Sequence, residues 1–366
     1  MAPAGYIARR PISVVFLETP IVKILRNWKA FAFLGTAFGL AFVLLFALAR
    51  PMPGRVAAPI SLPFAVRPVS INSSRDAETA SFSVRVKGET IPYRVFGLFL
   101  MPNERVLLQV AKDSAGAFEV VANEGTLESS APDGWSWTAP AVHGLYPIKV
   151  IDHISGDTIT LNAFVLVPYR RTETLEGYRI GRYQQTGLAI QEATYAVPQG
   201  FVEVTSANQA TPVAPHFTLG QFVAKQSSSY PKFLVLQEKL LLKLELLLDS
   251  VQARGIHAST FRVMSGYRTP FYNRSIGNRT RFSRHLYGDA ADIFIDEDGD
   301  GQMDDLNGDH RINRSDADFL AGIVEQVSET STFQRLIGGL GLYRARSRHG
   351  PFIHVDVRGF PIKWTE

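Results

Sequence analysis

The sequence predicts a multidomain chain: one membrane-crossing helix, then an all-β sandwich, then a C-terminal domain that combines a long amphipathic helix with short strands. Three patterns predict it. Residues 30–48 form a charge-free apolar run, the hydrophobic period becomes two from about Ala80, and from Lys232 to Arg254 it becomes three to four. At 366 residues the chain also exceeds a single core of ordinary size.

The run from Ala30 to Leu48, AFAFLGTAFGLAFVLLFAL, is long enough as a helix to cross a hydrocarbon core of about 30 Å. Arg9, Arg10, Lys23, Arg26 and Lys29 precede it, whereas Arg50, Arg55 and Arg67 follow. This bias places residues 1–29 in the cytoplasm, a transmembrane helix over 30–49, and everything beyond outside the cytoplasm. A cleaved signal peptide is the alternative, but the apolar core is long for one and starts far from Met1. In a cell with two membranes the expected location is the inner membrane, with the C-terminal domains in the periplasm.

Residues 50–79, rich in Pro, Ala and Ser at their start, read as a linker. Over 80–169, Phe82, Val84 and Val86 alternate with Ser83, Arg85 and Lys87, and Ile159, Leu161, Ala163, Val165 and Val167 again take every second position. Short β-rich runs between turn dipeptides give the spacing of an all-β sandwich. Gly134–Val150, GWSWTAPAVHGLYPIKV, resembles the later strands of bacterial immunoglobulin-like domains. A spacer and a binding module are both open readings. Residues 170–215 mix short β runs with Gly and Pro and form a connecting segment without assigned chemistry. In the helix that follows, Phe233, Leu236, Leu240, Leu244, Leu247 and Val251 recur on one face, interrupted by Glu238, Lys239, Lys243, Glu245 and Asp249, with Gly255 as a stop. Those charges make it a helix of a soluble domain, not a second span.

The net charge of +4 is small and the basic residues are scattered, so nucleic acid is not an expected partner. With no cysteine, a metal could be held only by His, Asp or Glu. Among eight histidines, His143, His153, His216 and His257 stand alone. His285 opens His-Leu-Tyr-Gly288-Asp-Ala290-Ala-Asp292, where Gly288 permits a tight turn and the small alanines let the chain return, so that His285 and Asp292 can meet at one ion. In Phe352-Ile-His354-Val-Asp356-Val-Arg358 the alternation puts Phe352, His354 and Asp356 on one face. Two nitrogens and one carboxylate leave a fourth tetrahedral position open, as a catalytic zinc site requires.

Ser265-Gly-Tyr-Arg268-Thr-Pro-Phe-Tyr-Asn273, Ser283-Arg-His285 through Asp292, Gly339-Leu-Gly341-Leu-Tyr343 and His354-Val-Asp356-Val-Arg358-Gly359 occur in that order. Together they resemble the M15 group of zinc D-alanyl-D-alanine peptidases, nearest the murein endopeptidases whose last motif reads His-x-Asp. The resemblance covers residues 216–366. It implies an α+β zinc peptidase domain with a small antiparallel sheet, and hydrolysis of peptidoglycan amide bonds next to D-amino acids. It also implies Ser265, Tyr267, Arg268, Asn273 and Ser283 at the substrate. Arg268 would stabilise an oxyanion or hold a substrate carboxylate. Relatives carry Glu three residues, or His two residues, before the last ligand, where this chain has Pro351 and Phe352. For the general base that leaves Asp356, whose alternative role is to orient a ligand or pair with Arg358, and His349. Ser229-Tyr-Pro-Lys232 matches a penicillin-binding motif, but its partner motifs do not follow. An inactive wall-binding protein is the non-enzymatic reading.

An acidic insertion, 296–316, follows Asp292. Asp296, Asp298, Asp300 and Asp304, then Asp305, Asn307, Asp309 and Asp316, have the spacing of two short calcium loops resembling those of dockerins. Uncompensated, so many carboxylates would repel. A solvated acidic loop is the alternative to bound calcium.

Overall fold

The structure, a computed structural model, describes residues 75–366 apart from 112–115, 132–133, 185–194, 279 and 281. The expected membrane helix lies outside the described residues, among which no helix is long and apolar enough to cross a membrane.

The N-terminal part is built from two sheets. Strands β1 (Thr79–Val86), β2 (Glu89–Tyr93), β4 (Arg105–Val110), β6 (Thr126–Ala131) and β7 (Gly134–Thr138) form one, in the order β2-β1-β4-β7-β6. Strands β3 (Val95–Leu100), β5 (Phe118–Ala122), β8 (Gly144–Asp152) and β9 (Thr158–Val165) form the other, ordered β3-β9-β8-β5, with β3 and β9 parallel. Alternation does its work in β1, where Phe82, Val84 and Val86 are buried, and Phe82 meets Phe118 of the second sheet at a ring separation of 5.2 Å. In β9 the pattern fails for a reason. Residues 161–165 are all buried, because the second face also packs on the chain that follows: the Asn162 side chain donates to the Pro212 carbonyl at 2.9 Å.

Short strands link the two parts: β10 (Val167–Pro168), β11 (Thr174–Leu175), β12 (Tyr178–Arg179), β13 (Gly200–Val204), β14 (Pro212–Ala214), β15 (Phe217–Thr218) and β16 (Lys232–Leu234). The last domain holds a five-stranded sheet of β17 (Arg262–Ser265), β18 (Ala290–Phe294), β19 (Gly339–Tyr343), β20 (Phe352–Asp356) and β21 (Ile362–Thr365), ordered β17-β18-β20-β19-β21. All its pairs are antiparallel except β19 with β21.

Helix α1 (Glu238–Gln252) packs with α3 (Arg314–Ser328) beside this sheet, while the short α2 (Pro270–Ser275) starts at Thr269, whose hydroxyl accepts from the Tyr272 N–H at 2.9 Å. Leu240, Leu241, Leu244, Leu247, Leu248 and Val251 are buried on α1, each worth about 2 kcal/mol by area removed from water. Two of the charges that mark this helix as soluble are nevertheless buried. Lys243 donates to the carbonyls of Leu336 (3.1 Å) and Asp356 (2.8 Å), and Glu245 accepts from the backbone N–H of His216 at 2.9 Å and pairs with its ring at 2.7 Å. Each buried charge therefore has partners, without which its burial would be prohibitive.

Candidate metal centre

Sheet register sets the site. Asp292 pairs with His354 across β18 and β20, and Ser265, Gly341 and Trp364 continue the same row on β17, β19 and β21. His285 comes from a 3-10 turn, Arg284–Tyr287, whose end at Gly288 has φ 68°. A Cβ at Gly288 would also stand 2.3 Å from the Val235 carbonyl oxygen, so conformation and space both require glycine. The turn is tied down by the Arg268 N–H on the His285 carbonyl at 3.0 Å.

The ligand atoms of His285, Asp292 and His354 lie within 4.8 Å of one another, and all three residues are buried. Asp292 Oδ1 is 3.1 Å from His285 Nε2 and 2.8 Å from His354 Nδ1. The outward nitrogens are fixed by second partners. His285 Nδ1 lies 2.7 Å from the Gly266 carbonyl, which can only accept, so Nδ1 carries the proton and Nε2 is bare. His354 Nε2 lies 3.2 Å from Asp356 Oδ2, leaving Nδ1 for the cluster. Burial, with Arg268 nearby, pushes His285 down to about 4, so the imidazole is neutral.

Asp356 is wholly buried. Against that burial, hydrogen bonds from His354 and Arg358 hold its carboxyl well below the usual range, and Oδ1 also accepts the Gly339 N–H at 2.8 Å. Arg268 is held from two sides, its Nε donating to Ser265 Oγ at 2.7 Å and its Nη2 to Asp292 Oδ2. Burial opposes ionisation of Asp292, but the Arg268 guanidinium keeps its carboxyl well below the usual range.

The cluster opens on a cleft of about 890 Å³. Arg268, Ser283, Arg284 and Tyr195 are among the residues on its walls, with Tyr343, Phe352 and Trp364. Tyr343 and Phe352 stack at 4.4 Å and 7°, the Trp364 indole N–H donates to Tyr343 Oη at 3.0 Å, and the indole lies 5.1 Å from the His354 ring. Other expected residues lie elsewhere. Tyr267, expected at the substrate, is buried with its hydroxyl 2.8 Å from that of Tyr183, because Tyr183 also donates to the Leu286 carbonyl and closes the core beneath the turn. Ser265 holds Arg268, Asn273 is buried on α2 beside the cleft, and His349 packs edge-on against Phe352 at 5.0 Å with Nδ1 on the Gly350 carbonyl.

Sequence reasoning missed Trp364, Tyr195 and the buried Arg284–Asp289 pair. Trp364 had a signal: Gly341 stands where any Cβ would come 2.5 Å from the indole.

In the acidic insertion Asp296, Asp298 and Asp304 do come together, with ligand atoms within 4.8 Å. Part of their charge is met by the protein itself. Asp296 accepts from Arg262 at 2.9 Å and from the Gly301 N–H, Asp298 from the Asp300 N–H, and Asp304 from the Glu297 N–H. Asp305 accepts from Gly308, Asp309 and His310, Asn307 from Asp309, Asp309 from Arg311, and Asp300 from Gln302. Asp316 is buried and bonds the N–H groups of Leu306 and Asn313 at the start of α3. Backbone N–H groups of the loops' own turns thus answer part of the expected repulsion, while burial and the neighbouring Asp298, Asp296 and Asp300 carboxylates still raise Asp304.

No curated protein and no solved structure matches the chain. Residues 216–356, which contain the whole His285–Asp292–His354 cluster, match the family model described as Peptidase M15, and this supports an M15-type peptidase in the C-terminal part of the chain.

Proposed function

We propose that this chain is a zinc peptidase acting on the stem peptides or cross-links of peptidoglycan, with His285, Asp292 and His354 as ligands. What carries the reading is the cluster with its two imidazole tautomers already set by Gly266 and Asp356. Its donor set, two ring nitrogens and a carboxylate oxygen in a chain without thiols, suits zinc with a position left over. Zinc bound there would supply Lewis acidity, which acidifies water and polarises a carbonyl group.

The protein's own residues do the rest. Asp356 keeps the proton on His354 Nε2, and Gly266 keeps that on His285 Nδ1. Arg268, fixed by Ser265 and Asp292, has guanidinium N–H groups left to face an oxyanion or a carboxylate in the cleft. Asp356, with each oxygen already accepting, acts as a positioning residue and not as the base. The charge bias around residues 30–49 supports anchorage in the inner membrane, with the catalytic domain in the periplasm.

The test is metal content and muropeptide mass spectrometry. Full-length protein should carry about one zinc and release peptide products, and alanine at His285, Asp292 or His354 should abolish both. Undiminished hydrolysis in those variants, or after chelation, would refute the assignment. The products themselves tell carboxypeptidase from endopeptidase.

A further inference from the structure

Beside the metal cleft is a second hollow, of about 470 Å³, and the two share Asn278 and Thr280 as walls. Its own walls include Arg182, Asn273 and Arg274. Asn273 is 3% exposed, yet its Oδ1 has no hydrogen-bond partner. A buried carbonyl left bare is costly, and a ligand N–H would relieve it.

The two arginines are brought together by the backbone. The Phe271 N–H at the start of α2 donates to the Ile180 carbonyl at 2.9 Å, and Gly181, at φ 80°, sits so close that a Cβ would stand 2.7 Å from that nitrogen. Residues 180–182 therefore lie against α2, next to Arg274. Among the described residues Arg274 makes no ion pair. Arg182 pairs with Glu173 at 2.5 Å, but both side chains are largely exposed, at 81% and 59%, and such a pair is readily exchanged.

We propose that this hollow is a subsite for a carboxylate carried by the substrate peptide away from the bond cut at the metal. Arg274 and Arg182 take the carboxylate, and Asn273 Oδ1 accepts an N–H from the same part of the peptide. A chain lying in the cleft reaches it by passing Asn278 and Thr280. This inference rests on the peptidase reading and adds a preference to it: free carboxylate over carboxamide.

The experiment compares two synthetic stem peptides that differ only in having a free carboxylate or a carboxamide on the residue neighbouring the scissile pair. They are assayed with full-length, zinc-loaded parent protein and with Arg274→Gln. The parent should favour the carboxylate by about tenfold, through KM, and the variant should lose that preference with kcat and zinc content unchanged. Calorimetric binding of both peptides to both proteins gives a readout that does not need turnover. If the parent cleaves neither peptide, the peptidase reading fails, and the binding preference still decides the subsite. Equal binding of the two peptides by the parent, or a preference that survives Arg274→Gln, would overturn it.

Discussion

Asp356 holds His354 by the ring nitrogen that faces away from Asp292: Oδ2 lies 3.2 Å from Nε2, while Nδ1 lies 2.8 Å from Asp292 Oδ1. The same carboxylate is gripped by Arg358 and by the Gly339 N–H, so a single buried anion fixes the tautomer and the ring plane of a proposed ligand.

Asp356→Asn keeps the shape and removes the charge. If the residue positions His354, zinc affinity should fall about 10–100-fold, and hydrolysis should recover when zinc is supplied in excess. Competition against a chelator measures the first and a zinc titration of the rate measures the second. A general base would give the opposite pattern, with zinc retained and hydrolysis lost at every zinc concentration.

Arg268 is fixed by Ser265 through Nε and by Asp292 through Nη2, which requires a planar fork. Arg268→Lys keeps a positive charge but cannot make both contacts and still face the cleft. The expected loss is about 10²–10³ in kcat, with the protein still binding zinc. A lysine variant with parental kcat would show that only charge matters there.

What the sequence disclosed was whatever depends on local pattern. Alternation of Phe82, Val84 and Val86 gave a strand with one buried face, and the step from His285 through Gly288 to Asp292 gave two members of the cluster. Alternation also put His354 and Asp356 on one face, but not the direction of the contact. Whether Asp356 faces the substrate or grips His354 depends on Arg358 folding back and on Gly339 arriving from another strand. Lys243 and Glu245 looked like the wet side of a helix, because their partners are the carbonyls of Leu336 and Asp356 and the side chain of His216, far away in sequence. Tyr267 sits one residue from Arg268 in the same motif, yet it points into the core.

The His216–Glu245 pair predicts how stability changes with pH. The hydrogen bond to Glu245 raises His216, against burial, and burial raises Glu245. Both groups hold protons more tightly folded than unfolded, so both contributions fall as pH rises. The histidine contribution is complete below about 6.5 and is lost as pH passes through the raised folded-state value. Denaturant midpoints should therefore drop between pH 6 and pH 8.5 in the parent and drop less in Glu245→Gln. His216→Ala, which strands a buried carboxylate, should cost about 3 kcal/mol at pH 6. Equal pH slopes in parent and Glu245→Gln would disprove the linkage.

Trp364 gives the last prediction. Strand β21 runs parallel to β19 and lies beyond the stretch matched by the family, yet it delivers an indole into the wall of the metal cleft, over Gly341 and beside His354. The ring is tied by its N–H to Tyr343 and donates to neither Asp292 nor His285, so its loss should spare the ligands while opening the cleft. Trp364→Ala is expected to raise KM by about tenfold, as removal of a partly desolvated aromatic wall would, and to leave bound zinc at the parental level. Gly341→Ala tests the same wall from the other side. Its new Cβ would stand 2.5 Å from the indole and must displace it, while φ at this position is not in the left-handed region, so the backbone tolerates the change. The two single variants should therefore show the same rise in KM, and the double variant no more than either, because an alanine at 364 leaves nothing for the new methyl to push. Additive effects in the double variant, or loss of zinc in Trp364→Ala alone, would show that the indole acts on His354 and not on the substrate.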